Sequence, residues 1–141
     1  MSEDEAVYAN DILDQEIKLF VRSGIKLLNQ SLKRIIPDVS IIFVSVSQIK
    51  SMNNKFRSIN TPTDVLSFPS EEDGYLGDIV ISKEVVLAYS EKAEVSFPEE
   101  LKRDILHGLM HLLGFDHTDH LHQGTTDPML ILQETLLKKL L

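Results

Sequence analysis

His107-Gly108-Leu109-Met110-His111-Leu112-Leu113-Gly114-Phe115-Asp116-His117 sets three histidines at H-x3-H-x5-H, with a glycine between the second and third. Residues four apart on a helix share one face, with Cβ atoms roughly 5–6 Å apart. Two imidazoles so placed can reach one metal ion at about 2.0–2.1 Å each. A continuing helix would turn His117 away from His111 and carry it about 9 Å along the axis. The helix must therefore stop, and Gly114 is the stop, because glycine takes the left-handed conformation of a helix terminus without a Cβ penalty. The chain can then bring His117 back over His107 and His111.

The rest of the chain reads as the frame for that helix. Ser96 and Glu99 form a capping box, with Pro98 in the first turn, for a helix that runs to Leu113. Its core stripe is Leu101, Ile105, Leu109 and Leu112. Upstream, Ala6–Asn10 is a short first strand. Asp14 caps a helix over Gln15–Ile36, which Pro37 ends, with Ile17, Phe20, Leu28 and Ile35 among its apolar positions. Ile41–Val46 is rich in β-branched residues and reads as a buried strand. Ser47 caps a short helix through Phe56. Val65–Phe68 and Tyr75–Ile81 form a hairpin around an acidic turn. Ser82 caps a helix over Lys83–Ala93, and Asp127-Pro128 opens a last helix through Leu140. The expected fold is α+β, one domain over residues 1–141: a small mixed sheet of about four strands packed with about five helices, the metal-binding helix against the sheet.

Composition sets the bounds. The chain has 141 residues, 43% hydrophobic and 26% charged, and no cysteine, so disulfides and thiolate zinc sites are excluded. No apolar run suits a transmembrane helix, and the acidic start Met1-Ser2-Glu3-Asp4-Glu5 is unlike a signal peptide, so the expected location is cytoplasmic with no membrane partner. The net charge of −8 argues against a nucleic-acid binder. The distribution argues the other way. Lys18, Arg22, Lys26, Lys33, Arg34, Lys50, Lys55 and Arg57 precede the histidines with only Asp38 among them. Such a block either solvates a helix face or presents a positive field to a phosphate backbone.

Three neutral imidazoles would hold one Zn²⁺ and leave its fourth position open, which is the catalytic pattern. A His-Glu-x-x-His peptidase takes its base from the residue after the first histidine. Here that residue is Gly108, which disfavours peptide hydrolysis and leaves phosphoryl transfer open. His120 and His122 lie in a polar stretch and read as solvated. Asp116 reads as a turn residue rather than a partner of a ligand.

The same residues carry a family resemblance. His107-Gly108-x-x-His111-Leu112-x-Gly114-Phe115-Asp116-His117 resembles the signature of the YbeY family, metal-dependent endoribonucleases of bacterial rRNA maturation. Met52-Asn53-x-x-Phe56-Arg57 with Pro62-Thr63-Asp64-Val65-Leu66-Ser67-Phe68-Pro69 resembles a second block, and Gly77-Asp78-Ile79-Val80-Ile81-Ser82 a third. Phe56 and Phe115 stand where the family often has tyrosine, and Asn60 where it often has aspartate. The resemblance implies zinc on His107, His111 and His117, with Arg57 as the catalytic arginine across a cleft. It also implies single-stranded RNA as substrate, the 3′ end of 16S rRNA as target, and the small ribosomal subunit with its associated proteins as partner. Arg57 suits that role, since a guanidinium can fork onto a phosphate. A ribosome-assembly factor with a structural metal, and less readily a metallopeptidase, are the competing readings.

Overall fold

The computed structural model describes residues 11–115 and 127–141. Its elements run α1 (Asp11–Leu32), β1 (Asp38–Phe43), α2 (Val46–Arg57), β2 (Val65–Pro69), β3 (Tyr75–Ile81), α3 (Lys83–Ala93), α4 (Phe97–Leu112) and α5 (Pro128–Leu140). Among the described residues the sheet has three strands in the order β1-β3-β2. β1 pairs parallel with β3, and β2 pairs antiparallel with β3 as the hairpin. The α+β architecture is the one expected, with three strands rather than four. The fourth, Ala6–Asn10, lies outside the described residues.

The two faces of the sheet are packed separately, as side chains alternating along a strand require. Val65, Ile79 and Ile81 join the main core with Leu101, Ile105, Leu106, Leu109 and Met110 of α4. Leu66, Val80 and Phe68 pack instead with Ile49 and Met52 of α2. α4 is the centre of the molecule: those five α4 residues are fully buried. Ile17, Phe20 and Leu28 of α1 and Met129, Leu136 and Leu137 of α5 close the same core.

Local chemistry moves several boundaries from their expected places. α1 includes Asp14, which approaches Lys83 Nζ at 3.7 Å instead of capping the helix. At its other end Lys33 adopts φ 53, and Asn29 takes the Arg34 N–H on its carbonyl (3.2 Å) and the Ile36 N–H on its side chain (2.7 Å). The chain leaves the helix before Pro37, and Ile35 is 92% exposed rather than in the core. β1 ends at Phe43 because Ser45, not Ser47, caps α2. Ser45 Oγ accepts the Gln48 N–H while Gln48 Oε1 accepts the Ser45 N–H, a complete capping box. β1 is also partly open instead of buried, since β3 is its one strand partner among the described residues. Ser82 occupies the cap position of α3, but its hydroxyl makes no capping bond.

Candidate metal centre

α4 starts and stops where its sequence dictates. Ser96 Oγ accepts the Glu99 N–H at 3.2 Å, with Pro98 in the first turn. At the other end Gly114 takes φ 95. The Phe115 N–H donates to the Met110 carbonyl and the Gly114 N–H to the His111 carbonyl, both at 3.0 Å. That pair of bonds is a Schellman termination, which turns the chain out of the helix just after the second histidine. His117, Asp116, His120 and His122 lie outside the described residues.

Gly108 determines how close α4 lies to the sheet. A Cβ there would stand 2.9 Å from Ile79 Cγ2 and 3.2 Å from Ser67 Oγ. Ser67 Oγ donates to the Gly108 carbonyl at 3.2 Å. The missing carboxylate after His107 thus has a packing cause, because a glutamate side chain has no room between α4 and β2. This contact faces the sheet, whereas His107 and His111 are only half buried.

The two imidazoles converge. Their Nε2 atoms are 3.0 Å apart, the ring centroids 4.5 Å apart and the planes 83° from parallel. Two nitrogens bound tetrahedrally to one zinc ion at its usual bond length would be about 3.3 Å apart. The spacing is therefore close to that of a shared ion.

A chain of hydrogen bonds decides which ring nitrogen of His107 carries the proton. Arg103 grips both oxygens of Glu134, at 3.1–3.2 Å through Nε and 3.1 Å through its terminal nitrogen. Burial pushes the Glu134 pKa up, but the bonds from Arg103 and Gln133 outweigh it, and the net shift is down. An ionised Glu134 only accepts, so it takes the Gln133 amide N–H at 3.1 Å. Gln133 Oε1 is thereby turned to His107 Nδ1, 2.7 Å away. Nδ1 must donate there, which leaves Nε2 with its lone pair toward His111. A metal-bound imidazole needs that tautomer. The donor set thus fits a zinc ion held by His107 and His111. Among the described residues no group of three histidine, aspartate or glutamate side chains is positioned to hold a metal.

Gln133, Glu134 and Arg103 were not singled out from the sequence. The available signal was a polar residue on a buried stripe: Gln133 is 4% exposed among Met129, Leu130, Leu136 and Leu137. Asp104 was missed as well. It is 6% exposed, one helical turn before Gly108. Burial first, then the neighbouring Asp64 carboxylate, pushes its pKa up to about 10, so it is neutral at pH 7.

Arg57 stands on α2 rather than on the histidine helix. It ends α2, exposed, and makes no ion pair with any described residue. α2 and α4 lie on opposite faces of the sheet, with β2 as the link between them. Phe56 meets Phe68 of β2 edge-on, and the preceding Ser67 is the residue bonded to Gly108.

Fold and site together define an α+β protein built around a buried helix that carries two converging histidines. The sequence profile of the family described as Endoribonuclease YbeY matches residues 4–141, and the chain belongs to that family. It is 38% identical over 109 residues to Endoribonuclease YbeY of Treponema denticola, covering 71% of this chain and 68% of that protein. It is 38% identical over 115 residues to the Borreliella burgdorferi (strain ZS7) protein of the same name, covering 72% of this chain and 73% of that one. The solution structure of TM1509 from Thermotoga maritima is similar at a TM-score of 0.56 and 26% identity, over 99% of this chain and 85% of that one. No helix among the described residues is long and apolar enough to cross a membrane.

Proposed function

We propose that this protein is a zinc-dependent endoribonuclease specific for single-stranded RNA. Its role would be maturation of the 3′ end of 16S rRNA and ribosome quality control, in the cytoplasm, with the small ribosomal subunit and its associated proteins as partner. The relatives named Endoribonuclease YbeY support RNA cleavage. The observation that carries the metal is the 3.0 Å approach of the His107 and His111 Nε2 atoms, with the His107 proton held on Nδ1 by Gln133. His117 is the proposed third ligand of a single ion.

When bound, zinc supplies Lewis-acid chemistry to water and to a phosphodiester. The chain's own residues do the rest. Gln133 keeps a proton on His107 Nδ1 and so keeps Nε2 available. Arg57, with no competing carboxylate among the described residues, forks onto the phosphate and stabilises the charge that builds during cleavage. Gly108, packed against Ile79, leaves no carboxylate in the place a metallopeptidase uses.

The test is cleavage of matched single-stranded and duplex RNAs. The wild type should cut the single strand only, and Arg57→Ala should lose about 10²–10³-fold in rate with an unchanged fold. Cells carrying Arg57→Ala should accumulate 16S rRNA with an unprocessed 3′ end. A wild type that leaves single-stranded RNA intact would overturn the proposal. Wild-type cleavage and 16S maturation by Arg57→Ala would remove Arg57 from the mechanism.

A further inference from the structure

The C-terminal end of α2 presents a side chain that the proposed mechanism does not use. Phe56 is 59% exposed. Single exposed apolar residues are ordinary on a protein surface, but the surroundings of this one are not. Its ring packs edge-on against Phe68, with centroids 4.8 Å apart and planes at 65°. Lys55 Nζ stands 5.8 Å from the ring centroid, and Arg57 follows in the chain. α2 carries Lys50, Lys55 and Arg57 and no acidic residue, in a protein whose net charge is −8. Phe68 also lines a groove of about 430 Å³ in which the polarity reverses, with Glu71, Glu72, Asp78, Tyr75 and Pro69. Those carboxylates would repel a phosphate chain, which favours the α2 side for it. An exposed aromatic face flanked by cations is the arrangement that takes a nucleobase on the ring and its phosphates on the flanking side chains.

We propose that Phe56 is a stacking platform for one unpaired base of the RNA substrate, with Lys55 and Arg57 on the adjoining phosphates. This rests on the ribonuclease reading and extends it. Phe68 and Ser67 are consecutive on β2, one touching Phe56 and the other the histidine helix. The platform and the candidate metal centre are thus tied to the same short strand. The edge contact with Phe68 reduces the side-chain freedom left to lose on binding. The platform also favours single strands, because a base locked in a duplex cannot be laid on it.

The test uses the full-length, zinc-loaded protein and a labelled single-stranded oligoribonucleotide, with an abasic nucleotide placed at each position in turn. Stopped-flow anisotropy reads binding ahead of cleavage, and cleavage is followed separately. Phe56→Ala should weaken binding about tenfold and raise KM with little change in kcat, while Phe56→Trp should restore both. One abasic position should weaken wild-type binding about as much and have no effect on Phe56→Ala. Wild-type affinity in Phe56→Ala, or an equal abasic penalty at every position in both proteins, would overturn the platform even where cleavage proceeds normally. Conversely, tenfold weaker binding by Phe56→Ala together with no cleavage by the wild type would sustain the platform and defeat the nuclease reading.

Discussion

Replacing Gln133 with leucine tests how the chain prepares His107. The substitution keeps the volume of a side chain that is 4% exposed and removes the oxygen 2.7 Å from His107 Nδ1. Two losses follow. The Nδ1–H is left without that acceptor in a half-buried setting, a cost of about 1–3 kcal/mol. The imidazole is also released to the other tautomer, which puts a proton on Nε2 where a metal must bind. Partners of this kind are worth about 10–100-fold in metal affinity, or roughly 1.4–2.8 kcal/mol. Zinc competition with a chromophoric chelator at fixed pH reads the change directly. Gln133→Leu should lie between the wild type and His111→Ala, with a wild-type circular dichroism spectrum. Glu134→Gln, which frees the Gln133 amide to flip, should show a smaller loss in the same direction. An affinity for Gln133→Leu within a factor of two of wild type would refute the assignment of the His107 proton.

Three further predictions concern α4. Gly108→Ala forces a Cβ to within 2.9 Å of Ile79 Cγ2, so thermal unfolding should show a loss of about 1–3 kcal/mol. Gly114→Ala must hold φ near 95, costing about 1–2 kcal/mol and loosening the turn after His111, which a lower melting temperature and weaker zinc binding would report. Asp104 has a folded pKa of about 10 against an ordinary 3.8, so its stabilising contribution is complete below pH 4 and is lost as pH rises toward 10. The loss is at most roughly 1.4 kcal/mol per pH unit. Asp104→Asn should therefore gain on the wild type in urea unfolding as pH is raised from 5 to 8, and parallel curves would show that Asp104 ionises normally.

The histidine helix was legible because its signals are local. Ser96, Pro98 and Gly114 each act within a turn of their own position, and the structure places both helix ends where they put them. The hairpin was legible for the same reason. β1 was misread because its apolar run looks alike in a central and in a partly open strand, and only the strand order separates them. The end of α1 was misread because Asn29 competes for backbone N–H groups eight residues before the expected terminator, Pro37. At the site, the i,i+4 pairing of His107 and His111 was readable. The relay through Gln133, Glu134 and Arg103 joins residues 26–31 positions apart, which no spacing rule connects. Arg57 stands out in the sequence only through its flanking motif, and the helix that carries it, α2, packs on Leu66 and Val80.

The most direct test of the account is a zinc titration of metal-stripped protein with single-stranded RNA cleavage followed at each point. Cleavage should rise from zero and saturate at one ion per chain, and His111→Ala should neither bind the ion nor cleave. Full cleavage by the metal-free protein, or by His111→Ala, would contradict it.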